Sequence, residues 1–302
     1  MQNTHQLLMI RPVNFGFNAE TAVNNSFQKN MGVDIRQKAL QEFDAFVELL
    51  RNNKVDITVI DDTPDPFTPD SIFPNNWITF HEDGRIILYP MFAPNRRQER
   101  KPHVLDAIKN KFVVSEMVDL SKYESGGIFL EGTGSMVLDR ENKIVYTCLS
   151  PRTDETLLTE FCRLTGYTAV TFTSADSKGI AIYHTNVMMC VGNTYAVICL
   201  ASIRNDEERK KVIASLQNSN KEVIDISSDQ LDHFTGNMLQ VSDVNGELLL
   251  AMSSQAYSSL TTVQVEMLQK HNRIIHSPLD TIETAGGGSA RCMMAEVFLE
   301  KK

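Results

Sequence analysis

The sequence predicts an α/β fold in which five similar units close into a ring with pseudo-fivefold symmetry. Three observations predict it. An amphipathic helical stretch, a short β-rich run and a hairpin-like segment recur in that order along the chain. Five residues at the heads of the hairpin strands, Asn76, Glu131, His184, Asn237 and Cys292, are separated by 55, 53, 53 and 55 residues. The fifth hairpin is half missing: "RCMMAEVFLE" supplies one strand before the chain stops, and the N-terminal "QLLMIRP" can supply its partner. Units averaging about 60 residues that share one core make residues 1–302 a single domain, where length alone would suggest two.

Each element has its own signal. In "DIRQKALQEFDAFVELLRNN", Ile35, Ala39, Phe43, Phe46, Val47 and Leu50 fall on one helical face. Shorter helical stretches lie at Pro102–Lys111, Asp154–Thr165, Asp206–Gln217 and Thr262–His271. Each helix precedes a β-rich run: "VDITVID", "KFVVSEM", "GYTAVTF", "KEVIDIS" and "NRIIHSP". The hairpins are "NWITFHEDGRIILYP", "GSMVLDRENKIVYTC", "NVMMCVGNTYAVICL" and "NMLQVSDVNGELLLAM". Asp83-Gly84, Gly192-Asn193 and Asn245-Gly246 mark turns within three of them.

Composition excludes several classes. Hydrophobic residues make up 42% and charged residues 22% of the chain, which suits a globular protein. The formal charge of −9 argues against nucleic acid, whose phosphates need clustered Lys and Arg. The one basic cluster, "NRRQERK" at 95–101, reads as a solvated loop. No basic region precedes the first apolar stretch, and no apolar run approaches a membrane span, so a cytoplasmic protein without membrane contact is expected. Five cysteines without a CxxC pair argue against a disulfide framework and a zinc site. Nothing calls for a metal or a cofactor, and the thiols are left free to act.

The chemistry gathers around "ETAGGGSARCMMAEVF". Glycines such as Gly287 let backbone come close to a small ligand, and Cys292 follows as a nucleophile. The competing reading makes Cys292 a packing residue after a turn. Arg291 and the loop amides are expected to stabilise a thiolate, and Met293 and Met294 to be core. Cys148, Cys162, Cys190 and Cys199 also read as core. His184, in "AIYHTNVMMCVG", is either a structural histidine or the acid and base beside Cys292. Glu131, in "GGIFLEGTGSMVLD", should be partly buried, and burial calls for a partner in His184 or a ligand. Helix capping by Glu131 is a poor reading, because the residues after it read as strand.

Cys, His and Glu at matching points of a fivefold ring resemble the guanidino-group-modifying (pentein) superfamily. "GGGSARCM", "LEGTGSMVLD" and "YHTN" carry the resemblance, which covers essentially the whole chain. It implies the pentein fold, a five-bladed α/β propeller, and a hydrolase acting on carbon–nitrogen bonds other than peptide bonds. It also implies that Cys292 attacks the carbon between the substrate nitrogens, that His184 protonates the leaving group and then activates water, and that Glu131 holds substrate N–H groups. "CLSPRTDE" is similar to a family segment whose arginine binds the substrate carboxylate, which suggests Arg152. "MFAPNRRQER" is similar to its other arginine segment, which suggests Arg96. Arg suits a carboxylate through two parallel hydrogen bonds.

"DSIFPNNWITF" matches the segment where deiminases set an aspartate against the guanidinium, but here the residue is Asn76. A second aspartate of the family is here Asn186. A ureido group is neutral, and a buried unpaired aspartate facing it would be costly. The pattern therefore resembles the citrulline ureidase branch, which hydrolyses citrulline to ornithine, carbon dioxide and ammonia. One alternative is a guanidino substrate, with deiminase or amidinotransferase chemistry. Another is a non-catalytic binding protein of the same fold. Substrate-contact candidates are thus Asn76, Asn186, Arg152, Arg96, Asn237 and Gly287, and the expected partner is a small amino acid. The sequence is compatible with a homo-oligomer. The Asn- and Phe-rich "RPVNFGFNAETAVNNSFQ" reads either as a flap over the site or as a packed loop.

Overall fold

The structure, a computed structural model, describes residues 1–32 and 34–302. Its strands form five sheets of three. One sheet shows the rule. Strands Ile78–Phe80 and Arg85–Leu88 pair antiparallel across a tight turn. Arg85–Leu88 then pairs in parallel with Glu116–Asp119, reached through the helix Pro102–Lys111. Parallel neighbours need such a crossover, whereas antiparallel ones need only a turn.

The same pattern gives Val137–Asp139, Ile144–Cys148 and Thr168–Phe172. It repeats in Met189–Val191, Tyr195–Ile198 and Glu222–Asp225, and again in Leu239–Ser242, Leu248–Ser253 and Arg273–Ser277. The fifth sheet uses both chain ends: Ala295–Glu296 pairs antiparallel with Gln6–Arg11, which pairs in parallel with Asp56–Asp61. The expected closure is therefore present, with Leu8 opposite Ala295 and Leu7 opposite Ile57.

Local chemistry sets the helix ends. Asp154 accepts from the amides of Thr156 and Leu157 to start the helix Glu155–Thr165, and Gly166 ends it at a φ of 75°. Asn205 caps Asp206–Asn218, and Thr261 with Gln264 forms a capping box on Thr262–Gln269. The helix Arg36–Asn52 buries Ala39, Phe43, Phe46, Val47 and Leu50, as its spacing predicts. Its buried Glu42 accepts 3.0 Å hydrogen bonds from the amides of Thr281 and Ile282, at the start of the helix Asp280–Gly286. That helix delivers the glycine loop to its place.

Three expectations need correction. The run at 111–117 is not a strand over that range: Phe112 N–H closes the preceding helix and Val113 N–H bonds to Glu300 O, so pairing starts at Glu116. One helical turn, Gly132–Ser135 or Thr185–Met188, separates Glu131 and His184 from their strands. Glu131 thus stands at a helix N-cap, although its side chain caps nothing. The basic cluster at 95–101 is not a solvated loop. Its first residues end the short helix Pro94–Arg97, and Arg96, Glu99 and Lys101 are buried. Lys101 pairs with Asp62 at 2.6 Å.

Met293 and Met294 are core, as are Cys148, Cys190 and Cys199, while Cys162 is half-buried; all five cysteines are unpaired. Among the described residues, no helix is long and apolar enough to cross a membrane.

Leu7 is fully buried in the closing sheet. Leu7→Ala is expected to cost about 3 kcal/mol, the usual range for such a cavity. Urea unfolding checks this, and a loss below about 1 kcal/mol would mean the chain ends do not share the core.

Candidate active site

The five equivalent positions converge. Cys292 lies in the short helical turn Ala290–Met293 and is 3% exposed. Its sulfur receives N–H groups from Asn186 at 3.5 Å and Asn237 at 3.3 Å. Asn237 also bonds to the Asn186 carbonyl at 2.8 Å and accepts the Arg291 amide at 3.1 Å. Asn237 is thereby a brace for the turn that carries Cys292. Arg291 is not turned to the thiol as expected. Its guanidinium bonds to Met294 O and to Glu296.

His184 Nε2 lies 2.7 Å from Glu131 Oε2, and both side chains are buried. Burial alone would raise the Glu131 carboxyl, but the Arg152 guanidinium at 3.6 Å and the His184 bond outweigh it and hold it at about 2. Burial pushes His184 down to about 4, against the pull of Glu131. At neutral pH the carboxylate is therefore an acceptor, so Nε2 carries the imidazole proton and Nδ1 keeps a lone pair. Gly134 makes room for this pair: a Cβ there would come within 2.3 Å of Asn76 Nδ2 and 2.7 Å of His184 Nδ1.

The arginines behave differently from each other. Arg96 is 2% exposed and spent within the protein. It bonds to Glu99 at 2.8 and 3.0 Å, to Phe73 O at 3.1 Å and to Asn76 Oδ1 at 2.8 Å. Because a guanidinium only donates, it fixes which end of the Asn76 amide faces it. Nδ2 of Asn76 then turns away, buried and without a partner. Oδ1 of Asn186 is likewise buried and unpartnered.

Arg152 lies over the ring of Tyr183, 4.9 Å from its centroid. It donates to Asn24 Oδ1 and to Thr21 O, each at 2.8 Å. The Asn- and Phe-rich N-terminal segment therefore does cover the site. Asn25 donates to the Gly287 carbonyl at 3.3 Å, and Tyr183 Oη donates to the same oxygen. Gly287 has a φ of 62°, and a Cβ there would strike Asn25 at 2.5 Å.

Asp70, Asn76, Arg96, Arg152, His184, Gly287 and Cys292 all line one cavity, closed by Thr21 and Asn25. Its free volume is about 20 Å³, room for one water.

Sequence reading missed Asp70, Tyr183 and Gly134. Asp70 is 2% exposed, with Oδ1 unpartnered and Oδ2 accepting from Asn18 and Thr21. Burial raises its carboxyl, with Arg96 opposing. Its signal was a second polar residue in "TPDSIFPNN"; Tyr183 simply adjoins His184. Among the described residues, no group of three or more His, Cys, Asp or Glu is placed to hold a metal.

A ring of five α/β units whose equivalent positions bring thiol and imidazole to one cavity, with a carboxylate bonded behind the imidazole, is the architecture of the guanidino-group-modifying, or pentein, superfamily. Within it the chain belongs to the eukaryotic N,N dimethylarginine dimethylhydrolase family, whose model matches residues 11–299. It is thus an enzyme, a hydrolase of carbon–nitrogen bonds.

Solved structures share the fold at low identity. The N-terminal domain of ArgZ, an arginine dihydrolase from the ornithine-ammonia cycle in cyanobacteria, has a TM-score of 0.76 at 14% identity in a substrate-bound cysteine-to-serine mutant, with 98% of each chain covered. The apo ArgZ structure gives a TM-score of 0.77 and 14% identity over 98% of this chain, which spans 40% of that longer chain. A cysteine-to-serine mutant of the Pseudomonas aeruginosa DDAH, in complex with citrulline, gives 0.67 and 15% identity over 98% of this chain and 100% of that one. No curated protein matches the chain.

The lowered imidazole has a consequence for stability. An unfolded His184, with a value near 6.5, takes up a proton that the folded one refuses until about 4. Stability should therefore fall by roughly 2 kcal/mol as pH drops from 7 to 5. Glu131 acts only lower: its contribution stands above its ordinary value and is lost as pH falls towards about 2. Urea midpoints at pH 7 and 5 test this. The drop should shrink in His184→Asn, and an equal drop in both proteins would refute the assignment.

Proposed function

We propose that the protein is a cysteine hydrolase of the ureido group of citrulline or a close relative, and that residues 1–302 act as one catalytic unit. The observation that supports it is the pair of unpartnered amide atoms. Asn76, which lines the cavity, offers an N–H, Asn186 beside the Cys292 sulfur offers an oxygen, and the side chains hydrogen-bonded to that sulfur are uncharged amides. A ureido end presents one oxygen and several N–H groups, so it satisfies one donor and one acceptor together. A guanidinium has no acceptor for the Asn76 N–H.

The proposed steps use the two groups that share the cavity, Cys292 and His184. Nδ1 of His184 takes the Cys292 proton, and Glu131 steadies the imidazolium. The thiolate adds to the ureido carbon. His184 returns the proton to the terminal nitrogen, the C–N bond breaks, and ammonia leaves a thiocarbamate. Water, deprotonated by His184, then attacks the same carbon. The C–S bond breaks, the thiolate is restored, and the resulting carbamate loses carbon dioxide to leave ornithine. Arg152 would hold the substrate carboxylate and Asp70 its ammonium. Arg96 instead orients Asn76. Gly287 would contribute only close backbone approach. Free thiol chemistry of this kind suits the reducing cytoplasm.

A second reading, a guanidino substrate, draws support from the fold shared with an arginine dihydrolase. Product analysis separates the two. Citrulline should yield ornithine and ammonia in equal amounts, while arginine should remain unchanged. Citrulline formation from arginine, or two ammonia per ornithine from arginine, would put the second reading first.

Cys292→Ser should abolish turnover and leave the fold intact, since a hydroxyl is far less acidic than a thiol. By calorimetry that variant should bind citrulline about tenfold more tightly than arginine, the worth of one satisfied polar contact. Equal affinities would mean that the two asparagines do not read the donor and acceptor pattern of the substrate end.

A further inference from the structure

The cavity around Cys292 holds about one water, yet the proposed substrate is a whole amino acid. Something must leave before it enters. The cover is the segment Asn18–Gln28, and what it grips is informative. Asn18 Nδ2 and Thr21 Oγ1 donate to Asp70 at 2.8 and 3.1 Å. Asn24 Oδ1 and Thr21 O accept from Arg152. The cover is therefore latched to one buried anion and one buried cation, both lining the cavity. An α-amino acid carries the complementary pair of charges.

We infer that Asn24 is an internal stand-in for the substrate carboxylate, so that Arg152 holds the flap shut until a carboxylate displaces the amide. The inference rests on the reading of Arg152 as the carboxylate site. Asn24 Oδ1 sits on the Nε side of the guanidinium fork, where one oxygen of a bidentate carboxylate would lie. A neutral amide oxygen binds a guanidinium more weakly than a carboxylate does, so the incoming ligand wins the exchange. The same latch gives a reason for demanding an α-carboxylate: a simple alkylurea cannot make the exchange, and the thiol stays covered. Asp70 completes the arrangement, because an arriving ammonium replaces the Asn18 N–H donor.

Two substitutions at one position test the idea with opposite signs. Asn24→Ala removes the latch, and Asn24→Asp strengthens it by supplying a permanent carboxylate. Each protein is treated with iodoacetamide without substrate, and alkylation is followed by peptide mass spectrometry, which separates Cys292 from the half-buried Cys162. Alkylation of Cys292 should quicken roughly tenfold in Asn24→Ala and slow by a similar factor in Asn24→Asp, the worth of one hydrogen bond to a charged group. KM for citrulline should move in step, down in the first and up in the second. A merely damaged flap would speed alkylation in both variants, and that result overturns the inference, as do unchanged rates. The alkylation readout uses no substrate, so it keeps its meaning even if citrulline proves to be the wrong one.

Discussion

The site is organised by a carboxylate with nowhere to go. Glu131 is fully buried, and an ionised carboxylate in that position is tolerable only with fixed partners. It has three. His184 comes from the next unit at 2.7 Å, Arg152 lies at 3.6 Å, and the Phe92 amide donates to its other oxygen at 2.9 Å. Each partner gains a defined role from the contact. The imidazole is locked in one tautomer, with its free nitrogen turned from Glu131. The guanidinium is held over the Tyr183 ring. Removing the carboxylate would leave the histidine unoriented and Arg152 short of an anion.

Such a constellation needs residues about 50 positions apart to meet, and the ring supplies this without long loops. In a repeat architecture one unit of three short strands and a helix leaves apolar surface for its neighbours to cover. Setting five side by side settles that, since the four buried apolar clusters each draw on more than one unit, and it also carries equivalent positions together. The one-turn helices after Glu131 and His184 fit this account. They separate the polar Glu131–His184 pair from the apolar strands that follow, and both turns are fully buried.

Periodicity made the architecture legible. Helix faces such as Ala39 to Leu50 and the split fifth hairpin are repeating signals that sum over many residues. Cys292, His184 and Glu131 were legible for a related reason, since each falls at the same point of its unit. What escaped was set by single tertiary contacts. The cluster holding Arg96 and Lys101 read as solvated because nothing local announces that Arg96 is buried with its neighbour Glu99, or that the distant Asp62 takes Lys101 inside. The strand expected from 111 starts late because the C-terminal residues take up Val113. Asp70 and Tyr183 matter through the flap and the Gly287 carbonyl, contacts between segments more than 45 residues apart.

Arg96 also changes how charge selection must be understood. From sequence, the natural idea is that Asn76 replaces an aspartate and so lowers the negative charge at the reacting end. In the structure a guanidinium already sits 2.8 Å from Asn76 Oδ1 and is itself held by Glu99. An aspartate at position 76 would therefore meet a built-in cation as well as any ligand, and part of its charge would be spent inside the protein. Selection then depends less on the sign of one residue than on which atoms remain unpaired once Arg96 is satisfied. With asparagine that atom is an N–H donor, and only a ligand oxygen can use it. The ureido preference proposed above would thus rest on hydrogen-bond polarity, which Arg96 dictates, more than on net charge.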